Sequence, residues 1–230
     1  MYTLHIANKN YSSWSLRPWV LMKQLEISFE EKLHRFVPDR DGRSFTSFSP
    51  TGKVPLLVDG DVAVWDSLAI VEYLAERHPA VWPADTKARA WARSAAAEMH
   101  SGFNQLRSVC GMNVGVRVNL HEVPEGLRKD LVRLEELWAD GMARFGGPFL
   151  AGGEFTAVDA FFCPVAYRIQ TYRLPVSPTA RAYAERLLAL PAMAEWTAAA
   201  LAEDFRDHPH EAELGSVGRV TEDLRTPETV

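Results

Sequence analysis

The sequence predicts two unequal domains: a small α/β domain over residues 1–79, an all-helical domain over 85–205, and a charged tail, 206–230. Two observations predict it. Short apolar runs and helical patterns alternate up to His78-Pro79, and beyond that point strand signals fall away. Five Ala-, Leu- and Glu-rich stretches then follow, with apolar residues every three or four positions.

In order, residues 2–7 (YTLHIA) read as a strand that begins at once, and Asn8 to Ser13 as a polar loop. Leu16, Trp19, Val20 and Leu25 then share one helical face, and Phe29 to Phe36 alternates as a second strand. Pro38, Gly42, Pro50 and Gly52 mark 37–52 as a loop with one helical turn near Phe45–Phe48. Asp59-Gly60-Asp61 separates two apolar runs, Val54–Val58 and Val62–Trp65, which is a hairpin signal. Ser67 to Arg77 completes the domain as a helix.

The second domain predicts helices over 85–111, 124–145, 157–171, 179–190 and 192–203. Trp91, Ala95, Met99, Phe103, Leu106 and Cys110 give the first a buried stripe, and Leu127, Leu131, Leu134, Trp138 and Met142 do so for the next. Gly146-Gly147-Pro148 ends that helix. Thr156 and Asp159 form a capping-box pattern for the following one, and Pro191 suits a first turn. The tail after Phe205 is charged, lacks periodicity and is expected to be loosely held or extended.

Composition removes several function classes. A hydrophobic fraction of 47% with 24% charged residues supports a packed core rather than disorder. The net charge is −5 and the basic residues are interleaved with acids, so no nucleic-acid partner is expected. No run of eighteen apolar residues occurs, and Met1 to His5 lacks a basic lead into an apolar stretch; neither a membrane span nor a signal peptide is expected. Cys110 and Cys163 are far apart and form no CxxC, which argues against a disulfide or metal framework and fits a reducing cytoplasm.

Three segments carry candidate chemistry. In Tyr11-Ser12-Ser13-Trp14-Ser15-Leu16-Arg17-Pro18, Pro18 belongs in a first turn, so regular helix is expected to begin near Ser15 or Leu16. Ser12 and Ser13 then sit at the positive end of the helix, where an anion is favoured. One serine suffices as a cap, and three in four positions leave one for other work. In Lys53-Val54-Pro55, proline at a strand's first residue marks an edge or a special turn; a cis bond would turn the Val54 backbone outward toward a peptide-like ligand. In Trp65-Asp66-Ser67, either polar residue suits an N-cap; otherwise Asp66 faces a ligand ammonium and Ser67 a carboxylate.

Together, these segments and the Thr156-x-x-Asp159 cap resemble the cytosolic glutathione transferases over the chain to about residue 205. Ser12-Ser13-x-Ser15-x-Arg17 is most similar to the serine-type zeta class, with tau and theta relatives close by. The resemblance implies a thioredoxin-like N-terminal domain, an all-α C-terminal domain and a cytoplasmic homodimer active in detoxification. It implies glutathione as co-substrate, no metal, and a small electrophile as second substrate. Ser12 would face the sulfur, Val54 before a cis Pro55 would pair with the cysteinyl backbone, and Asp66 and Ser67 would hold the γ-glutamyl end, with Ser13 beside them. Lys53 is a candidate for the glycine carboxylate. Tyr11, Trp14, Phe103 and Arg107 are candidates for the electrophile pocket. Arg17 is expected in a structural ion pair, and His100 at the surface or in the core. Two positions depart from the family pattern: Asp66 replaces the usual Glu or Gln, and Trp14 stands where the zeta motif has cysteine, crowding the second-substrate side.

A thiol near pKa 8.5 needs roughly 2.7 kcal/mol of preference for its anion to reach about 6.5. A hydrogen bond to a charged group contributes about 1.5–3 kcal/mol and a helix N-terminus about 0.3–1 kcal/mol, so Ser12 and its helix suffice. Tyr11 is the second candidate donor. Three functions follow: a transferase using Ser12, a glutathione-dependent cis–trans isomerase similar to maleylacetoacetate isomerase, or a non-catalytic interaction protein on the same fold. A thiol–disulfide oxidoreductase is disfavoured, because the first domain contains no cysteine.

Overall fold

A computed structural model describes residues 1–37 and 44–227. Pro38 and Gly42, two of the markers of the expected 37–52 loop, lie outside the described residues, as do the last three positions of the tail.

The first domain runs β1 (Tyr2–Ala7), α1 (Ser13–Gln24), β2 (Phe29–His34), β3 (Leu56–Asp59), β4 (Val62–Trp65) and α2 (Ser67–Ala75). Its sheet has the order β2-β1-β3-β4, with β1 parallel to β2 and the other neighbours antiparallel. The parallel pair requires a crossover, which α1 supplies; the antiparallel pair β3–β4 closes over Gly60, whose φ of +61° suits the tight turn. Leu4 and Ile6 of β1, Leu57 of β3, Trp19 and Val20 of α1 and Ile70 and Leu74 of α2 form its buried interior. This is the thioredoxin-like arrangement. The expected helical turn near Phe45–Phe48 is a hydrogen-bonded turn, closed by Ser49 N–H donating to the Phe45 carbonyl.

A short 3₁₀ turn, Pro79–Val81, leads into the second domain: α3 (Thr86–Ser101), α4 (Asn104–Val109), β5 (Val116–Leu120), α5 (Glu125–Phe145), α6 (Ala157–Tyr172), α7 (Pro178–Leu188), α8 (Pro191–Ala202), α9 (His208–Val217) and β6 (Gly218–Asp223). Helix α6 is the axle of this domain and is buried along nearly its whole length. Asp159 fastens its start: the carboxylate accepts from Thr156 N–H at 3.0 Å, Leu150 N–H at 3.0 Å and the Tyr183 hydroxyl at 2.7 Å.

Four expectations are corrected here. The single helix over 85–111 is two helices, because Gly102 and Phe103 break it: Phe103 has φ +53°, and a Cβ on Gly102 would sit 2.8 Å from the Glu98 carbonyl. The second domain is not purely helical, since β5 and β6 form an antiparallel ribbon. The tail is neither loose nor merely extended. It folds into α9 and β6 and returns to the first domain. Helix α1 also begins two residues earlier than expected, which leaves Pro18 as its sixth residue rather than in its first turn.

The loop between β1 and α1 is clamped by the second domain. Glu203 accepts from the backbone N–H groups of Lys9 (2.6 Å) and Asn10 (3.3 Å), and the Trp196 indole N–H donates to the Lys9 carbonyl (2.8 Å). Lys9 is itself buried and paired with Glu31 at 2.7 Å.

Candidate active site

Two adjoining cavities, about 430 and 510 Å³, lie where the domains meet and share Trp14, Lys53, Val54 and Arg107 as walls. The first is also lined by Tyr11, Ser12, Ser13, Arg168, His210 and Glu213. The second is bounded by Thr51, Pro55, Trp65, Asp66 and Ser67.

Ser12 occupies the N-cap position of α1, but its hydroxyl caps nothing. It donates to Ser15 Oγ at 2.7 Å, and Ser15 Oγ also accepts from Ala7 N–H at 3.2 Å. The hydroxyl therefore stands at the helix mouth, beside the first cavity, held by a neighbour that is anchored to β1. Tyr11 is differently placed. Its hydroxyl donates to Glu211 at 2.6 Å and lies 3.3 Å from both Arg225 and the Asp207 N–H. Burial and the Glu211 carboxylate push its pKa far above the ordinary value, so the phenol stays neutral and engaged with the tail.

The Val54–Pro55 peptide is cis. Asp66 has φ +75°, a sparsely populated backbone region for a residue with a side chain. One carboxylate oxygen caps α2 by accepting from Leu68 N–H at 2.8 Å, and the other lies 3.3 Å from His100 Nε2. The Ser67 hydroxyl is fully buried and has no hydrogen-bond partner among the described residues. A buried unpaired hydroxyl costs about 1–3 kcal/mol, so a polar group entering the second cavity would recover that loss.

Trp14 does not plug the mouth. It lines both cavities, with the Arg17 and Arg107 guanidiniums 4.1 and 4.4 Å from its ring centroid and His100 edge-on at 5.2 Å. Arg17 is not in the expected ion pair. It is buried, its Nε and Nη1 lack partners among the described residues, and burial beside Arg168 and Arg107 drives its pKa well below the ordinary value, against the pull of Asp66. Arg168 is likewise buried; it donates through Nε to the Cys110 carbonyl at 2.7 Å, while Nη1 is unpaired, and burial lowers its pKa to about 10. His100 is half-buried, and desolvation lowers its pKa against the pull of Asp66.

Phe103 is not at the site. Its left-handed backbone at the α3–α4 break puts the ring in the core, 6% exposed, and it lines neither cavity. Arg107, one helical turn on, does reach both. Residues that sequence reasoning missed are Arg168 from α6 and His210 and Glu213 from α9. A signal for α9 was available: Asp207 followed by His208-Pro209 is an N-cap with proline in the first turn, and the Asp207 carboxylate accepts from His210 N–H at 3.2 Å. Among the described residues no group of three or more His, Cys, Asp or Glu side chains is arranged to hold a metal ion, and no helix is long and apolar enough to cross a membrane.

Residues 11–77 match the family model described as glutathione S-transferase, N-terminal domain. A probable maleylacetoacetate isomerase of Vibrio cholerae is 26% identical over 195 residues, covering 80% of this chain and 90% of the relative. A zeta-class glutathione S-transferase of Euphorbia esula is 31% identical over 140 residues, 58% of each chain. Among solved structures, a Burkholderia glutathione transferase homolog with bound glutathione superposes with TM-score 0.64 at 24% identity, covering 86% of this chain and 97% of that one. The matched first domain, the zeta-class and isomerase relatives and the two-domain fold shared with glutathione transferases support a cytosolic, zeta-like glutathione S-transferase family for this chain.

Proposed function

We propose that this chain is a glutathione transferase in which the Ser12 hydroxyl holds the glutathione sulfur as a thiolate for attack on a small electrophile. The observation that carries this reading is the Ser12 hydroxyl itself, at the mouth of α1, beside the first cavity and not used as a cap. When sulfur arrives, the Ser12 proton turns to it, and Ser15 replaces that bond by donating its own hydroxyl to Ser12 Oγ. No general base is required, because the hydrogen bond and the helix end together supply about the 2.7 kcal/mol that a two-unit fall in thiol pKa demands.

The tripeptide then lies along the second cavity. Val54 meets its cysteinyl backbone, Lys53 its glycine carboxylate, and Ser67 its γ-glutamyl carboxylate, with Ser13 at the opening. Asp66 acts on the ammonium while it caps α2. The electrophile enters the first cavity beside Trp14 and Arg107, against Tyr11. The protein works as a cytoplasmic homodimer in detoxification, and its two free cysteines, both buried, suit a reducing compartment. No metal enters the mechanism.

A second reading is favoured by one observation. Arg107 and Arg168 both line the electrophile side, and Arg168 keeps Nη1 unpaired, an arrangement suited to a carboxylate. An acidic cis-enone bound there would undergo thiolate addition, rotation and elimination, the isomerase reaction. Calorimetry with glutathione, followed by parallel assays of conjugation to 1-chloro-2,4-dinitrobenzene and of cis–trans isomerisation of maleylacetone, tests both. Binding in the micromolar to millimolar range with either activity is expected. No association at millimolar glutathione overturns the proposal and leaves a non-catalytic interaction protein.

A further inference from the structure

The tail carries a pair of groups that the mechanism above does not use. His210 Nδ1 lies 2.5 Å from the Asp207 carboxylate. The imidazole is stacked on the Tyr11 ring, with centroids 5.1 Å apart, and packs against Phe36 at the same separation. It lines the first cavity together with Ser12. An acceptor on Nδ1 fixes the tautomer: the Nδ1 proton belongs to the bond with Asp207, and the Nε2 lone pair remains available. Among the described residues Nε2 has no hydrogen-bond partner.

Asp207 is itself held rigidly. It is 6% exposed, its N–H lies 3.3 Å from the Tyr11 hydroxyl, and its carboxylate caps α9. The tyrosine that precedes the thiol-holding serine thus also seats the imidazole. Glu211 and Arg225 close the arrangement from behind by bonding the same phenol. The result is an oriented acid–base group lining the same cavity as Ser12.

We propose that His210, positioned by Asp207, is a catalytic proton carrier for additions of glutathione to activated double bonds. The inference rests on the transferase reading. In the step, the proton that the thiol releases to solvent on ionising beside Ser12 is matched by one taken up at His210 Nε2, and the thiolate forms a bond to the β-carbon of an α,β-unsaturated carbonyl compound. The C=C π pair moves to give an enolate. The imidazolium then gives its proton to the α-carbon, so the elements of the thiol add across the double bond and nothing else is consumed. That proton also decides between the two reactions considered above. Quenching the enolate commits the enzyme to conjugation, whereas an unquenched enolate rotates and expels the sulfur.

The test compares wild type, His210→Gln and Asp207→Asn with glutathione and two electrophiles. Ethacrynic acid is an enone whose adduct must be protonated; 1-chloro-2,4-dinitrobenzene loses chloride and its product needs no proton. Asparagine retains an N-cap acceptor, so the second variant keeps α9. General acid–base catalysis is worth about 10²–10⁴-fold. His210→Gln is expected to slow enone turnover at least tenfold more than aromatic substitution, with melting temperature and glutathione affinity unchanged; Asp207→Asn should show the same selectivity in smaller degree. Equal losses on both electrophiles, or none, overturn the proposal. So does a wild-type enzyme that conjugates the chloroarene but no enone. A wild-type protein that neither binds glutathione nor conjugates the chloroarene overturns the transferase reading itself.

Discussion

The two adjoining cavities are assembled in opposite ways. The second is mostly local: beside the shared walls Trp14 and Arg107, Lys53, Val54 and Pro55 precede one strand and Asp66 and Ser67 open one helix, these five within fifteen residues. The first is assembled across the whole chain, from Ser12 after β1, Arg107 on α4, Arg168 on α6 and His210 on α9. The difference teaches where specificity can vary. A cavity built mainly from one contiguous hairpin and its flanks changes chiefly with the fold of the first domain. A cavity whose far wall is a docked tail can change with the tail alone.

The largest effect that tests this contrast is at the residue common to both functions. Ser12→Ala removes a hydrogen bond to a charged sulfur, worth about 1.5–3 kcal/mol. Turnover is expected to fall roughly 10- to 100-fold and the bound thiol pKa to rise by about one to two units. Glutathione affinity should change little, because the tripeptide's other contacts lie in the second cavity. Ultraviolet titration of the bound thiolate and steady-state kinetics measure both. Unchanged turnover would remove Ser12 from the mechanism.

A smaller effect separates the cavities. Arg225 is 4% exposed on its side chain and pairs with Glu211 at 2.5 Å and Asp223 at 2.7 Å. Both partners remain partly open to solvent, so Arg225→Ala is expected to cost about 2 kcal/mol of local stability, below the range for a fully buried pair. The loss should fall on the tail. Amides of β6 should exchange faster and the KM for the electrophile should rise several-fold, while the KM for glutathione stays within about twofold of wild type. A rise shared equally by both substrates would show that the two cavities are not independently built.

The smallest effect is acid release of the tail. The bond from Arg225 lowers the pKa of Asp223 from its ordinary 3.8. For Glu211, burial alone would raise the pKa, but the bonds from Arg225 and Tyr11 outweigh it and the net shift is downward from 4.5. Depressed folded pKa values contribute stability above the unfolded values and lose it as pH falls through the folded ones. Attachment of the tail should therefore be constant above about pH 5 and weaken progressively below about pH 4, ahead of global unfolding. Tail-specific hydrogen exchange or limited proteolysis at pH 6, 4 and 3 checks it.

How legible each part was follows from the same contrast. Turn and cap chemistry is written in neighbouring residues, so the hairpin at Asp59-Gly60, the proline at position 55 and the Asp66-Ser67 helix start could be read directly. Tertiary docking is not written that way. Val116 to Leu120 alternates as a strand should, but its partner lies about a hundred residues on, and a charged segment gave no apolar stripe to announce α9. Burial of that helix rests on Leu214 and on polar anchors instead. Periodicity misled at Phe103, where an apolar residue in register with Met99 and Leu106 ran through a break that Gly102 already signalled. Arg17 misled for another reason: a buried arginine suggests a carboxylate, and here two aromatic rings, Trp14 and Phe161, take that place.

The clamp on the loop from Asn8 to Tyr11 has a further consequence. Main-chain atoms just upstream of Ser12 are gripped by Glu203 and Trp196, nearly two hundred positions away. The nucleophile's cradle consequently has no fixed address within its own domain. An excised first domain would retain its sheet and the tripeptide-facing hairpin yet leave the sulfur unsteered, so inheritance of chemistry in this chain depends on a carboxylate and an indole supplied by the other half.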